Sequence, residues 1–133
     1  MDNVKATVFV VDDDEAICKS LAMLIEGAGL NAQAYSSAQD FLDDYDPAIP
    51  GCLLLDVRMP GMNGLELQAE LAKRRIHIPT IVITGHADVP MAVQTVKSGA
   101  MSFIEKPFGD KALLDDIRKA IALDAKSRRV QMQ

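Results

Sequence analysis

Apolar residues in this chain follow two rhythms. Short unbroken runs (Val8-Phe9-Val10-Val11, Leu53-Leu54-Leu55, Ile81-Val82-Ile83 and Phe103-Ile104) alternate with longer stretches in which apolar positions recur every three or four residues. Runs of the first kind read as buried strands, and stretches of the second as amphipathic helices. The first strand is expected over about 6–11. Ile17, Leu21, Leu24, Ile25 and Ala28 then mark one helix face, with Gly27 and Gly29 as stop signals. Residues 32–35 read as a short second strand, and Ser37-Ala38-Gln39-Asp40 has the form of a capping box ahead of Phe41-Leu42. Pro47 and Pro50-Gly51 break the chain before a third strand, about 52–56. A Met-Pro-Gly-Met-Asn-Gly loop at 59–64 precedes a helix over about 65–74, where Leu67 and Leu71 lie one turn apart. Pro79 introduces a fourth strand, about 80–84. The next helix, about 88–98, tolerates Pro90 in its first turn and ends at Gly99. A fifth strand, about 101–105, leads to a last helix with Leu113, Leu114, Ile117, Ala120 and Ile121 on its inner face.

Five strands alternating with five helices predict an α/β fold, a doubly wound five-stranded parallel sheet. Strands nearly continuous in apolar residues fit a sheet covered on both faces. In such sheets ligands bind beyond the carboxyl ends of the strands, where strand order reverses. The flavodoxin-like order 2-1-3-4-5 sets the first strand beside the third. Asp12-Asp13 and Asp56, which end those strands, become neighbours. Thr84 ends the fourth strand and Lys106 follows the fifth, so one edge gathers three carboxylates, a hydroxyl and an ammonium.

Carboxylates crowded in this way raise one another's proton affinity or demand a cation. Oxygen donors of this kind suit Mg²⁺. Asp13 and Asp56 are the candidates for direct ligation, Asp12 for ligation through water, and the backbone carbonyl of Arg58 for a further position. Aspartate is also a nucleophile toward phosphorus and gives an acyl phosphate. In that chemistry the protein chiefly positions groups and neutralises charge. Lys106 and the metal would neutralise, the Thr84 hydroxyl would donate to a phosphoryl oxygen, and Gly85 would keep the approach open. Taken singly, each residue has a plainer role. Asp12-Asp13-Asp14-Glu15 is an acidic helix start, Asp56 a turn residue, Thr84 a strand end and Lys106 a solvated lysine. Their joint occurrence at strand ends is what points to a site. His86, two residues past Thr84, lies within reach of it, whereas His77 reads as structural or solvated.

The length of 133 residues suggests one domain, and such a chain buries a core without staples. A net charge of −5 gives no electrostatic case for nucleic-acid binding by this chain. No apolar run approaches the ~20 residues of a membrane span. The polar start Met1-Asp2-Asn3-Val4-Lys5 shows no secretory signal, and cysteines read as reduced thiols make the cytoplasm the expected compartment. The two cysteines, Cys18 and Cys52, read as reduced thiols in or near the core, and two histidines without suitable cysteine spacing give no zinc site. The seven methionines read as core filler.

Val11-Asp12-Asp13, the stretch from Leu54 to Gly64 (Leu-Leu-Asp-Val-Arg-Met-Pro-Gly-Met-Asn-Gly), Thr84-Gly85-His86 and Lys106-Pro107-Phe108, in this order, resemble the response regulator receiver domain of two-component signalling. The resemblance covers about residues 6–123. The stretch from Ile83 to Val93, with Phe103 to Phe108, is similar to FixJ-type transcriptional regulators in particular. The resemblance implies a CheY-like fold and Asp56 as the acceptor of phosphoryl from a sensor histidine kinase. Asp12 and Asp13 would be the acidic pair that holds Mg²⁺, Lys106 the family's cation, and Thr84 with Phe103 the switch pair. The Lys106–Pro107 bond would be cis. Such a protein is a phosphorelay switch rather than an enzyme, one that assists its own phosphorylation and dephosphorylation. On activation Thr84 would be drawn to the phosphoryl oxygens and Phe103 would swing inward. The face of the fourth helix, fifth strand and fifth helix would then control homodimerisation and, in a full-length protein, transcription.

The receiver is expected over 1–123. Residues 124–133 turn polar and basic and read either as a solvated helix end or as the start of a linker to an effector domain absent from this chain. DNA binding would belong to that domain. Three other readings share parts of the pattern. Asp-x-Asp in Asp12-Asp13-Asp14 looks like a haloacid-dehalogenase-type phosphatase, but that family wants Gly-Thr soon after, Glu15-Ala16 stands there, and Asp56 is left unexplained. A flavin module on the same fold needs a hydroxyl- and glycine-rich loop after the first strand, where these acids would repel phosphate unless a metal intervened. The third is a receiver that only binds protein.

Overall fold

A computed structural model describes residues 6–131. Five strands, β1 (Thr7–Val11), β2 (Asn31–Tyr35), β3 (Gly51–Asp56), β4 (Thr80–Thr84) and β5 (Ser102–Glu105), alternate with five helices. These are α1 (Glu15–Gly27), α2 (Ala38–Asp44), α3 (Gly64–Lys73), α4 (Val89–Lys97) and α5 (Asp110–Gln131). Every strand pair is parallel and the order is β2-β1-β3-β4-β5, the order expected.

Side chains alternate across a strand, and the core divides accordingly. Val8, Val10, Cys52, Leu54, Ile81 and Ile83 pack with Leu21 and Ile25 of α1 and Leu113 and Ile117 of α5. Phe9, Val11, Leu53 and Leu55 pack on the other face with Phe41 of α2 and Leu67 and Leu71 of α3. Val82 meets Ala92 of α4. The apolar continuity expected of the strands holds for β1, β3 and β4. It fails for the two edge strands: Asn31, Gln33 and Ala34 are exposed in β2, and Phe103 and Glu105 in β5.

Three helices end in one hydrogen-bond pattern. After α1, Leu30 N–H donates to the Ile25 carbonyl and Gly29 N–H to Glu26; after α4, Ala100 donates to Thr95 and Gly99 to Val96. The left-handed residue in each is glycine, at φ 87° and 129°. Gly29 is therefore the stop signal of α1, while Gly27 is its last helical residue. The end of α3 repeats the pattern with Ile76 donating to Leu71 and Arg75 to Ala72, but Arg75 occupies the left-handed position, at φ 59°.

Helix starts depart from expectation in two places. Ser37 caps α2 by accepting from Asp40 N–H, while Asp40 itself accepts from the Ser36 hydroxyl, so only half of the expected box forms. The full capping box sits at α3, where Asn63 accepts from Glu66 N–H and Glu66 from Asn63 N–H. Cys18 and Cys52 are both free and buried. Burial pushes the Cys52 thiol up to about 12, so it stays protonated. Met59 is buried and Met62, Met91 and Met101 are partly so, but Met23 is 74% exposed on α1 and is not core filler. Met1 and Met132 lie outside the described residues.

The last helix continues into the segment read from sequence as a solvated end or linker. Asp124 is only 2% exposed. Its Oδ2 accepts from Gly51 N–H at 2.9 Å and from Arg128 Nε at 2.7 Å. The same guanidinium donates to the carbonyls of Pro47, Ala48 and Ile49. The α5 extension is thereby tied to the loop that enters β3.

Candidate functional site

Register brings the candidate residues together. Val11 pairs with Leu55 across β1 and β3, Asp56 with Ile83 across β3 and β4, and Thr84 with Glu105 across β4 and β5. Asp12, Asp13, Asp56, Thr84 and Lys106 therefore surround one sheet edge. Carboxylate oxygens of Asp12, Asp13 and Asp56 all lie within 4.8 Å of one another.

The acidic run after β1 divides by role. Asp14 is the N-cap of α1 and accepts from Ala16 and Ile17 N–H through one oxygen. The helix-start reading thus holds for Asp14, while Asp12 and Asp13 belong to the cluster. The same division tells against a phosphatase Asp-x-Asp pair, since the second acid is engaged at the helix end. Asp12 is buried; its Oδ1 accepts from Asp14 N–H at 2.9 Å, and its Oδ2 is buried with no partner. Burial is the main cause that raises the proton affinity of Asp12, opposed by that hydrogen bond and reinforced by Asp56. Burial likewise raises Asp56, against the hydrogen bond from Arg58 N–H at 3.2 Å and the charge of Lys106, with Asp13 adding like-charge repulsion. An orphaned buried carboxylate oxygen beside two further carboxylates is a donor set that a small hard dication satisfies. Asp12, Asp13 and Asp56 fit Mg²⁺ in type and spacing.

Thr84 is fully buried, with its hydroxyl donating to the Gly85 carbonyl at 3.0 Å. Phe103, opposite Val82 on β5, is 36% exposed. Lys106 N–H donates to the Thr84 carbonyl at 2.8 Å, which fixes the loop after β5 against β4, and the Lys106–Pro107 peptide is cis, as expected. His86 points to Glu105, Nδ1 to Oε2 at 3.2 Å, with its side chain 94% exposed; it turns to the flank of the site rather than toward Asp56. His77 is exposed. The Arg58 side chain pairs with Asp88. Asp88 escaped the sequence reading, although its place four residues past Thr84, on the turn that borders the site, was available as a signal.

The chain matches the response regulator receiver domain family over residues 8–118. It is 47% identical over 129 residues to nodulation protein W of Bradyrhizobium diazoefficiens, covering 97% of this chain and 57% of that protein. It is 48% identical over 122 residues to the transcriptional regulatory protein FixJ of Azorhizobium caulinodans, covering 92% and 58%. The chain thus spans little more than half the length of these relatives. Among solved structures it is similar to the response regulator StyR (TM-score 0.90, 44% identity, 96% of this chain and 65% of that one). It is also similar to the crystal structure of FixJ-N (TM-score 0.82, 45% identity, 92% and 96%).

Proposed function

The chain belongs to the response regulator receiver domain family, and on that premise we propose that Asp56 is its phosphoacceptor and that Asp12, Asp13 and Asp56, with the Arg58 carbonyl, hold Mg²⁺. The observation that carries the proposal is the three-carboxylate cluster with one buried oxygen unpaired. Asp12 lies deepest and Asp13 and Asp56 nearer solvent, which leaves Asp56 accessible to a donor. A carboxylate oxygen of Asp56 attacks the phosphorus of a phosphohistidine on a sensor kinase. The P–O bond forms as the P–N bond breaks, and the histidine leaves with its electron pair. Bound Mg²⁺ supplies charge neutralisation at the phosphoryl oxygens. Lys106 adds a second cation, and Thr84, released from the Gly85 carbonyl, donates its hydroxyl to the phosphoryl group.

The switch follows from packing. A phosphoryl group adds about −1.5 to −2 charges and strong acceptors. Thr84 moves toward them, Phe103 turns from solvent into the vacated space, and the face built by α4, β5 and α5 changes shape. That face forms the homodimer. A kinase approaches beside α1, where Ile17, Leu21, Leu24, Pro107 and Phe108 line an apolar groove reaching Lys106. Water later cleaves the acyl phosphate in the same pocket, so the domain assists its own resetting. In a longer protein the output is transcription through a DNA-binding domain; this chain, at net charge −5, takes no part in DNA contact. The setting is the cytoplasm, and among the described residues no helix is long and apolar enough to cross a membrane.

The test is incubation with acetyl phosphate and Mg²⁺ followed by mass spectrometry. Wild type gains one phosphoryl group and Asp56→Asn gains none. Label on Asp12 that survives Asp56→Asn overturns the assignment.

A further inference from the structure

Arg58 and Asp88 form an ion pair that the phosphoacceptor chemistry does not use. The Nε and one Nη of Arg58 both donate to a single Asp88 oxygen, at 2.9 and 2.6 Å. Arg58 stands two residues past Asp56, on the loop after β3. Asp88 closes the 3-10 turn His86–Asp88 after β4. Although Asp88 immediately precedes α4, its side chain makes no capping bond, which leaves its carboxylate to Arg58. The pair therefore bridges the two loops that flank the acceptor. His86 and Glu105 anchor the start of the same turn on its other side. Between these anchors Thr84 keeps its hydroxyl on the Gly85 carbonyl.

We propose that Asp88 is a positioning residue for phosphoryl capture: by holding the Arg58 guanidinium it ties the loop after β3 to the turn after β4 and keeps Thr84 in its resting orientation until charge on Asp56 draws Arg58 away. The inference rests on Asp56 being the acceptor. In the resting state Asp88 offers Arg58 a single carboxylate. The phosphorylated acceptor offers a group of greater charge, whose oxygens match the planar guanidinium fork. The Arg58 side chain is 71% exposed and that of Asp88 16%. Solvent reaches the Arg58 end and screens the pair, which leaves it weak enough to be exchanged. When Arg58 leaves, the turn loses one anchor and Thr84 and Gly85 are free to shift. The device is local: it needs a change of partner by one side chain, not a rearrangement of the sheet.

A cycle of Asp88→Asn, Arg58→Gln and the double variant tests this in two readouts. In the metal-free, unphosphorylated protein, each single variant speeds amide hydrogen exchange at 85–89 about two- to fivefold, and the double variant exchanges no faster than the faster single. Effects that multiply in the double overturn the tie. In the second readout, beryllofluoride is titrated in the presence of Mg²⁺. Asp88→Asn binds it about two- to fivefold more tightly, with Mg²⁺ affinity unchanged. Loss of the Asp88 charge by itself would favour an anion and disfavour a cation. A gain in beryllofluoride matched by an equal loss of Mg²⁺ affinity therefore overturns the positioning role. Equal beryllofluoride affinities overturn this inference and leave Asp56 as acceptor. No beryllofluoride binding by wild type or variant overturns the acceptor assignment and takes this inference with it.

Discussion

Replacing Asp124 with alanine removes the acceptor that joins the α5 extension to the entrance of β3. The magnitude follows from the groups left behind. The Gly51 N–H donates to Asp124 in a buried setting, and leaving such a donor unpaired costs about 1–3 kcal/mol. Breaking a buried ion pair costs about 3–5 kcal/mol when the partner is stranded. Arg128 is not fully stranded: its side chain is 29% exposed and it keeps the Pro47, Ala48 and Ile49 carbonyls. The two effects overlap, and the expected loss is about 2–4 kcal/mol, a large part of the 5–15 kcal/mol typical of a domain. For a chain of this size the melting temperature falls by roughly 10 °C. Urea unfolding reads the change as a lower midpoint at unchanged slope, since the surface exposed on unfolding is nearly the same. A chain cut after residue 123 should lose at least as much as Asp124→Ala, because it loses Asp124 and Arg128 together. If Asp124→Ala unfolds within about 0.5 kcal/mol of wild type, or the shortened chain is as stable as the full one, the clamp carries no weight and the receiver does end near 123.

Other outcomes follow from the same geometry. Arg75→Gly relieves a left-handed residue at the end of α3 and should stabilise by about 0.5–1 kcal/mol in urea unfolding. Gly51→Ala should cost several kcal/mol, since a Cβ there would stand 1.8 Å from the Thr7 carbonyl oxygen; a near-normal melting curve would contradict this. Asp12 has its proton affinity raised, chiefly by burial. A carboxylate raised above its unfolded value of about 3.8 gives stability that is present below that value and lost as pH rises through the folded one. In metal-free protein Asp12→Asn should therefore become more stable than wild type as pH climbs above about 4, and it should lose the rise in melting temperature that Mg²⁺ gives wild type. Melts between acid and neutral pH, with and without Mg²⁺, decide both points.

What was legible in the sequence was the part fixed by local pattern. Apolar runs marked four of the five strands, and because each of those four led into a distinctive polar residue, the parallel order brought Asp12, Asp13, Asp56, Thr84 and Lys106 to one edge. The remainder depended on contacts between segments far apart. Asp124 looked solvated because nothing near it in sequence marks it for burial; its partners are Gly51 and, one turn on, an arginine that reaches back to 47–49. The end of α3, expected near 74 and found at Lys73, was legible although arginine stands where the two sister helices have glycine. Ser37 and Asn63 carried similar capping signals, and only the second had the longer glutamate side chain that reaches back to close the box.

The strand order also bears on synthesis. β1 is interior, held between β2 and β3, and its pairing with β3 joins Thr7 to Gly51. On a ribosome β1 waits for its inner neighbour until more than forty further residues have been added. Until then one edge of Val8-Phe9-Val10-Val11 is open to pairing with another chain. The acidic residues that immediately follow this run place charge beside the open edge during that interval.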